Sequence, residues 1–152
     1  MHTNNATGAI TRLLDMGVEH FLVSSGVNAV LAQRLLRTIC SSCKEPYIPP
    51  TQALEHFNIA GQAQGRKFYR GTGCQACRFT GYRGRIGVFE LLELSDPIRD
   101  LINERRSTAD IRKAAMKTGD LRTLYRDGLW KAAKGVTTLE EISRIIQVKG
   151  EH

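Results

Sequence analysis

Two short cysteine pairs constrain this chain more than any other feature. Cys40 and Cys43 form one C-x-x-C, Cys74 and Cys77 form the other, and the sequence has no further cysteine. Two intervening residues close a tight knuckle that aims two sulfurs at one point. Two knuckles offer four thiolates, the tetrahedral set that Zn²⁺ prefers. The gap between the pairs is longer than in compact zinc ribbons, so the intervening chain has to loop out from a base tied by the metal. Four sulfurs leave no open position for a substrate water, which makes such a site structural. Two other chemistries compete. A redox C-x-x-C needs one pair only, near a strand-to-helix turn and with a lowered thiol pKa. A disulfide framework suits small secreted chains. Met1 is followed by His, Thr and Asn rather than a basic start and an apolar run, so no signal peptide is expected.

At 152 residues and 41% hydrophobic content the chain can bury one core, with room for a small satellite module. No stretch approaches the length that spans a bilayer, and the expected compartment is the cytoplasm, where thiols stay reduced. The formal charge of +7 is unevenly placed. Between Glu55 and Glu90 there is no acidic residue, and the interval holds Arg66, Lys67, Arg70, Arg78, Arg83 and Arg85. These cations can offset the net negative charge of a zinc tetrathiolate and favour the thiolate form. Alternatively they form an electrostatic footprint for nucleic acid or acidic lipid, with Phe68, Tyr69, Phe79 and Tyr82 interleaved as a stacking surface. Local neutralisation is the simpler reading, with the aromatics packed under the metal module.

Periodicity predicts a helix over 6–16, with Ile10, Leu13 and Leu14 on one face and Gly17 at its end, and a short helix over 21–28. Residues 29–39 fit a helix and a strand about equally, and a strand is assigned to the second half, delivering Cys40 to the metal. Pro46, Pro49 and Pro50 stop regular structure, and a short helix over 52–57 and a polar loop follow. Residues 85–94 read as a strand with apolar residues on both faces, hence covered on both sides. Asp96-Pro97 starts a helix, with Asp96 as the cap, and Thr108 starts another that ends near Gly119. A further helix buries Leu121, Leu124, Tyr125, Leu129 and Ala132, with Trp130 as core or packing anchor and Gly135 closing it. Thr138-x-x-Glu141 is a capping box before a last helix with Leu139, Ile142, Ile145 and Ile146 inside. No G-x-x-x-x-G-K-[ST], H-E-x-x-H or G-x-S-x-G occurs. Gly81, Gly84 and Gly87 read as turns rather than a dinucleotide site, and His20, His56 and His152 are isolated.

The run GCQACRFTGYRGRIGVFELLEL (Gly73–Leu94) resembles the C-terminal region of the ATPases that drive type II secretion and type IV pilus assembly. Residues 2–17 resemble the segment that opens with their His box, with His2 as its histidine. Residues 30–44 resemble their first cysteine pair, and residues 121–146 their closing helices. The tetracysteine insert is similar to that of the secretion and pilus-extension branch. The resemblance implies an α+β, mainly helical fold. Residues 1–39 would be the tail of a RecA-like domain, 40–84 the inserted tetracysteine zinc module, 85–94 a returning strand of the RecA-like sheet, and 95–152 a C-terminal helical subdomain. The strand at 85–94 would pair antiparallel with the one around Arg34, and the missing remainder of the sheet would leave apolar faces exposed. The implied parent is a homo-hexameric, Mg-ATP-dependent motor, cytoplasmic and held at the inner membrane by platform and assembly proteins. Its phosphate loop and acidic boxes lie upstream of His2, so this chain alone is expected to bind Zn²⁺ without hydrolysing ATP. No specific nucleic acid is expected as a partner. A free-standing zinc-bound nucleic-acid module is the alternative function, and a thiol-disulfide protein the third.

Overall fold

A computed structural model describes residues 5–61 and 67–146. The architecture is α+β. Its elements run α1 (Ala6–Asp15), α2 (His20–Gly26), β1 (Ala29–Ile39), β2 (Lys44–Tyr47), α3 (Thr51–His56), β3 (Phe68–Gly71), β4 (Tyr82–Glu93), α4 (Asp96–Asn103), α5 (Thr108–Thr118), β5 (Leu121–Arg122), α6 (Leu124–Ala133) and α7 (Leu139–Ile145). One sheet has the order β1-β4-β5 and a second pairs β2 with β3. The chain divides into two compact units, residues 1–33 with 89–124 and residues 34–88 with 125–152.

In the first unit, Asn5 caps α1 by accepting from Gly8 N–H at 2.8 Å, which satisfies one of the orphan donors of the first turn. Ala6, Ile10, Val23, Leu92, Ile98, Ile102, Ala115 and Leu121 form a continuous core. Burying each Ile or Leu is worth about 1.5–3 kcal/mol. Ser107 caps α5 and Gly119, in the left-handed region at φ 87°, ends it. The cap of α4 is Ser95 rather than Asp96, which is the first helical residue beside Pro97. Leu121 lies in β5, which pairs antiparallel with β4 through Leu91↔Arg122 and Leu92↔Leu121, so α6 starts three residues later than the apolar spacing suggests. Glu90 sits on the buried face of β4 and accepts from Ala6 N–H at 2.7 Å, at the N-terminus of α1, with Arg112 at 3.3 Å. A carboxylate is stable there because it meets a helix N-terminal amide and a guanidinium together.

The strand character of β1 extends over all of residues 29–39, not just its second half, because its backbone pairs with β4 and tertiary pairing outweighs local helical spacing. On β4 the even-numbered face is buried at Val88, Glu90 and Leu92, whereas Arg85, Phe89 and Glu93 are exposed. The strand is therefore covered on one face, not two. Leu31 and Leu35 of β1 are exposed as well, so the sheet does present apolar side chains to solvent, as expected. Pro46 does not stop regular structure: it lies in β2, opposite Tyr69 of β3. A two-stranded ribbon leaves part of each strand's N–H groups unpaired, so a proline there need not cost a ladder bond. Trp130 is 59% exposed on α6 and is not a core residue. The ammonium of Lys134 lies 5.8 Å from its ring centroid.

The end of β1 is clamped to the last helix by a buried carboxylate. Glu141 takes a fork from Arg37 (2.8 and 3.0 Å), another from Arg144 (2.6 and 2.9 Å) and the Arg37 backbone N–H at 3.0 Å. Thr138 Oγ1 caps α7 by accepting from Glu141 N–H. Thus the Thr138 half of the capping box forms, while the Glu141 carboxylate is drawn to the two arginines. Burial pushes the Glu141 carboxyl up, but the hydrogen bonds from Arg144 and Arg37 outweigh it and hold it down at about 2, against an ordinary 4.5. A depressed carboxyl contributes stability above pH 4.5 that is lost as pH falls toward 2. Glu141→Gln should destabilise the chain by roughly 2 kcal/mol at neutral pH, the scale of a charged hydrogen-bond set. Denaturant melts should show that the gap between wild type and Glu141→Gln narrows as pH falls from 4.5 to 2.

Candidate metal centre

All four cysteines converge. Cys40 follows the last residue of β1, and Cys43 precedes the first of β2. The Cys43 N–H donates to the Cys40 carbonyl at 3.3 Å, closing the first knuckle. The second knuckle is a single 3₁₀ turn over Gln75–Cys77, entered from β3 and left toward β4. Here Cys77 N–H meets Cys74 O at 3.2 Å and Phe79 N–H meets the same carbonyl at 2.8 Å. Backbone hydrogen bonds join the two knuckles: Cys40 N–H donates to Gly81 O at 3.0 Å and Thr72 N–H to Cys43 O at 3.1 Å. Gly71 and Gly81 make this possible. A Cβ on Gly71 would stand 2.1 Å from the Gly81 oxygen, and one on Gly81 would stand 2.5 Å from the Gly71 oxygen. Gly81 also adopts φ 77°, which favours glycine.

The sulfur geometry matches a tetrahedral cation. Cys40 Sγ lies 3.9 Å from Cys74 Sγ, Cys43 Sγ 3.9 Å from Cys77 Sγ, and Cys74 Sγ 3.8 Å from Cys77 Sγ. All four lie within 4.8 Å of one another. Ligands about 2.3 Å from a central Zn²⁺ stand about 3.8 Å apart in a regular tetrahedron. A disulfide would need about 2.05 Å. Three amides point at the sulfurs: Gly73 N–H at Cys43 (3.3 Å), Cys74 N–H at Cys77 (3.2 Å) and Gly81 N–H at Cys77 (3.3 Å). Such donors stabilise sulfur in its anionic form and fix its direction. Burial pushes the Cys43 thiol up to about 11 against the pull of Gly73 N–H, with the neighbouring thiols adding to the rise. Burial acts on Cys77 in the same sense, but the amides of Cys74 and Gly81 and the thiols of Cys74 and Cys43 outweigh it and bring it down to about 6. The amides aimed at Cys77 favour its thiolate, and a bound cation would draw off the cysteine protons. Donor set, spacing and amide support all fit Zn²⁺.

Residues 1–144 match the Type II/IV secretion system protein family. The chain belongs to this family. It is 43% identical over 143 residues to the type IV pilus assembly ATPase PilB of Thermus thermophilus, covering 93% of this chain and 16% of that protein. To the type II secretion system protein E of Dickeya dadantii it is 44% identical over 146 residues, covering 95% of this chain and 28% of that protein. To the type II secretion system ATPase E of Vibrio cholerae the figures are 43% over 145 residues, 95% and 28%. The chain therefore spans less than a third of the length of these secretion-family relatives.

Other residues singled out by their type have different fates. His2 and Arg66 lie outside the described residues, as does His152. The basic and aromatic residues around the knuckles do not form one stacking surface. Phe68 is buried. Arg37 lies 4.1 Å over the Tyr82 ring, Lys44 4.4 Å over Tyr69, and Arg70 5.7 Å over Tyr47. Arg70 also pairs with Glu45 at 2.9 Å. Phe79 alone projects, 74% exposed, while Arg78, Arg83 and Arg85 are exposed with it. The sequence marks Gly81 as a turn residue; what spacing does not show is its backbone contact with Gly71 across the two knuckles. Gly81→Ala should pry the knuckles apart. Its cysteines should react at least about tenfold faster with a thiol reagent than the wild type's, since roughly 2 kcal/mol of strain enters at that contact.

Proposed function

We propose that this chain is a non-catalytic part of a type II secretion or type IV pilus-assembly motor, in which Cys40, Cys43, Cys74 and Cys77 hold one structural Zn²⁺. The observation that carries this reading is the sulfur spacing of 3.8–3.9 Å in a member of this family. The names of the relatives supply the pilus-assembly or secretion ATPase, and the resemblance supplies the motor and the place of the segment within it, after the nucleotide-binding elements. On that reading residues 1–39 and 85–94 belong to a RecA-like sheet, residues 40–84 are the zinc module, and residues 95–152 are a helical subdomain. ATP and Mg²⁺, the homo-hexamer, the inner-membrane platform and assembly proteins, and a cytoplasmic position at the membrane belong to the whole motor. Within the described residues no helix is long and apolar enough to cross a membrane.

The bound ion would supply a fourfold cross-link between the knuckles, and no open coordination position for chemistry. The protein's share is geometric. β1 and β4 bring Cys40 and Gly81 together, Gly71 and Gly81 let the backbones touch, and three amides orient the sulfurs. The module's contribution to the motor is then a rigid, non-hydrolytic surface for assembly contacts.

Elemental analysis of the chain purified without chelator should give one zinc per chain; absence of stoichiometric metal would sink the reading. Cys74→Ser should lose the ion and raise hydrogen exchange first between residues 40 and 80. The core of Ile98, Ile102, Ile111 and Ala115 should keep its protection, because it packs without metal. The chain alone should show no ATP hydrolysis above background, since it carries no triphosphate cradle. Turnover abolished by a substitution in this chain would overturn the assignment.

A further inference from the structure

The knuckle that carries Cys74 and Cys77 ends in an unusual tip. Arg78 and Phe79 are consecutive non-glycine residues in the left-handed region, at φ 52° and 60°. Such a backbone costs of order 1 kcal/mol or more per residue. The tip is nonetheless pinned. Arg78 N–H donates to Gln75 O at 3.0 Å, Phe79 N–H to Cys74 O at 2.8 Å, and a Cβ on Gly73 would stand 2.8 Å from the Phe79 carbonyl oxygen. An aromatic side chain 74% exposed on so fixed a backbone loses little entropy on docking, and it has the anatomy of an interface anchor. Arg78 beside it is exposed, and no ion pair engages it among the described residues.

A complementary surface exists on the same chain. Met16 is 64% exposed and Phe21 62% exposed, and Asp15 and Glu19 are exposed between and beside them. This turn is also fixed: Val18 N–H donates to Leu13 O at 3.2 Å, and Glu19 caps α2 with its carbonyl taking Val23 N–H at 3.1 Å. A basic aromatic tip thus has an acidic apolar counterpart. Nucleic acid is disfavoured as the occupant of the tip, because Tyr82, Tyr69 and Tyr47 are covered by the chain's own cations and leave a single ring to stack. A lone phenylalanine is likewise too small an anchor for a bilayer surface.

We propose that Arg78 and Phe79 of one copy dock on the Asp15–Phe21 turn of a second copy, a head-to-tail contact between two different patches. It rests on the metal reading insofar as the cysteine cluster holds the tip. Contacts of this type propagate into rings or filaments. With a net charge of +7, copies repel one another in general, and salt relieves that repulsion. Docking by complementary patches has the opposite salt dependence and weakens as salt is added.

The experiment is sedimentation of the full chain at low and physiological salt, with a tip variant (Arg78→Glu with Phe79→Ala) and a turn variant (Glu19→Arg with Phe21→Ala). The wild type should associate with rising concentration, and less so at the higher salt. Each variant should lose association by roughly thirtyfold or more, the scale of an anchor residue. Mixed together, the two variants should form a 1:1 complex that grows no further, since each supplies the surface the other lacks. A monomeric wild type, a mixture that stays monomeric, or association that salt strengthens would each overturn the contact. Zinc measured on every sample separates the two readings. A zinc-loaded tip variant that stays monomeric supports the docking, whereas a zinc-free wild type that still associates through the tip sinks the metal reading alone.

Discussion

Gly81 is the residue on which the cysteine module turns. Its N–H points at Cys77 Sγ, its carbonyl receives the Cys40 N–H, and its Cα lies against Gly71. One residue therefore touches both knuckles and the end of β3. No side chain can take this place. A Cβ would strike a carbonyl oxygen, which is backbone and cannot rotate aside. The four sulfurs are within reach of one cation because two backbones approach as closely as only glycines permit. The metal would then lock a geometry that the hydrogen-bonded backbone already approximates.

A second clamp closes on the same strand. Arg37 and Cys40 are three residues apart at the end of β1. Arg37 is bound through its guanidinium and its N–H to Glu141, while its carbonyl accepts from Thr137 Oγ1 at 2.8 Å. Ile39 N–H donates to Val136 O at 2.9 Å. Tyr82, under the Arg37 guanidinium, shares a hydrogen bond of 2.8 Å between its hydroxyl and that of Thr138. The turn before α7 is thereby held to the strand that feeds the first knuckle. Lys131 adds a buried contact, donating to Gly87 O of β4 at 2.7 Å. Buried polar groups of this kind cost free energy unless every one finds its partner, so they select one arrangement of helix and strand over near alternatives.

Much of this was legible from residue order. The double C-x-x-C named its four ligand candidates, and the cap at Thr138 and the stops at Gly17, Gly119 and Gly135 follow from chemistry within a turn of the chain. What stayed hidden depends on distant partners. Residues 29–39 carry apolar spacing compatible with either period, and pairing with β4 decides between them. Leu121 looked like the first apolar residue of a helix until β4 offered it a ladder. Trp130 has the composition of a core residue and the position of a surface one. Glu90 read as one residue of an alternating strand and Glu141 as half of a capping box, and their buried roles come from Ala6 and Arg112 in one case and from Arg37 and Arg144 in the other.

The balance of forces differs between the two units. The first holds a contiguous apolar core contributed by α1, α2, β4, α4, α5 and β5, and such a core scales with area and needs no ion. In the second, the described residues between 40 and 81 form short elements: a four-residue ribbon, a six-residue helix and a single 3₁₀ turn. Phe57 stacks on Tyr125, whose hydroxyl donates to the Phe57 carbonyl, and Phe68 is buried nearby in sequence, but these supply few large apolar side chains for the length of chain ordered. Conformational entropy of about 1–2 kcal/mol per residue has to be offset by something other than apolar area. A cross-link among four sulfurs does this, since it acts at the two points where the loop leaves and rejoins the strands. That is why the cysteines stand at the ends of β1 and β2 and just before β4, where tying the base restrains everything between.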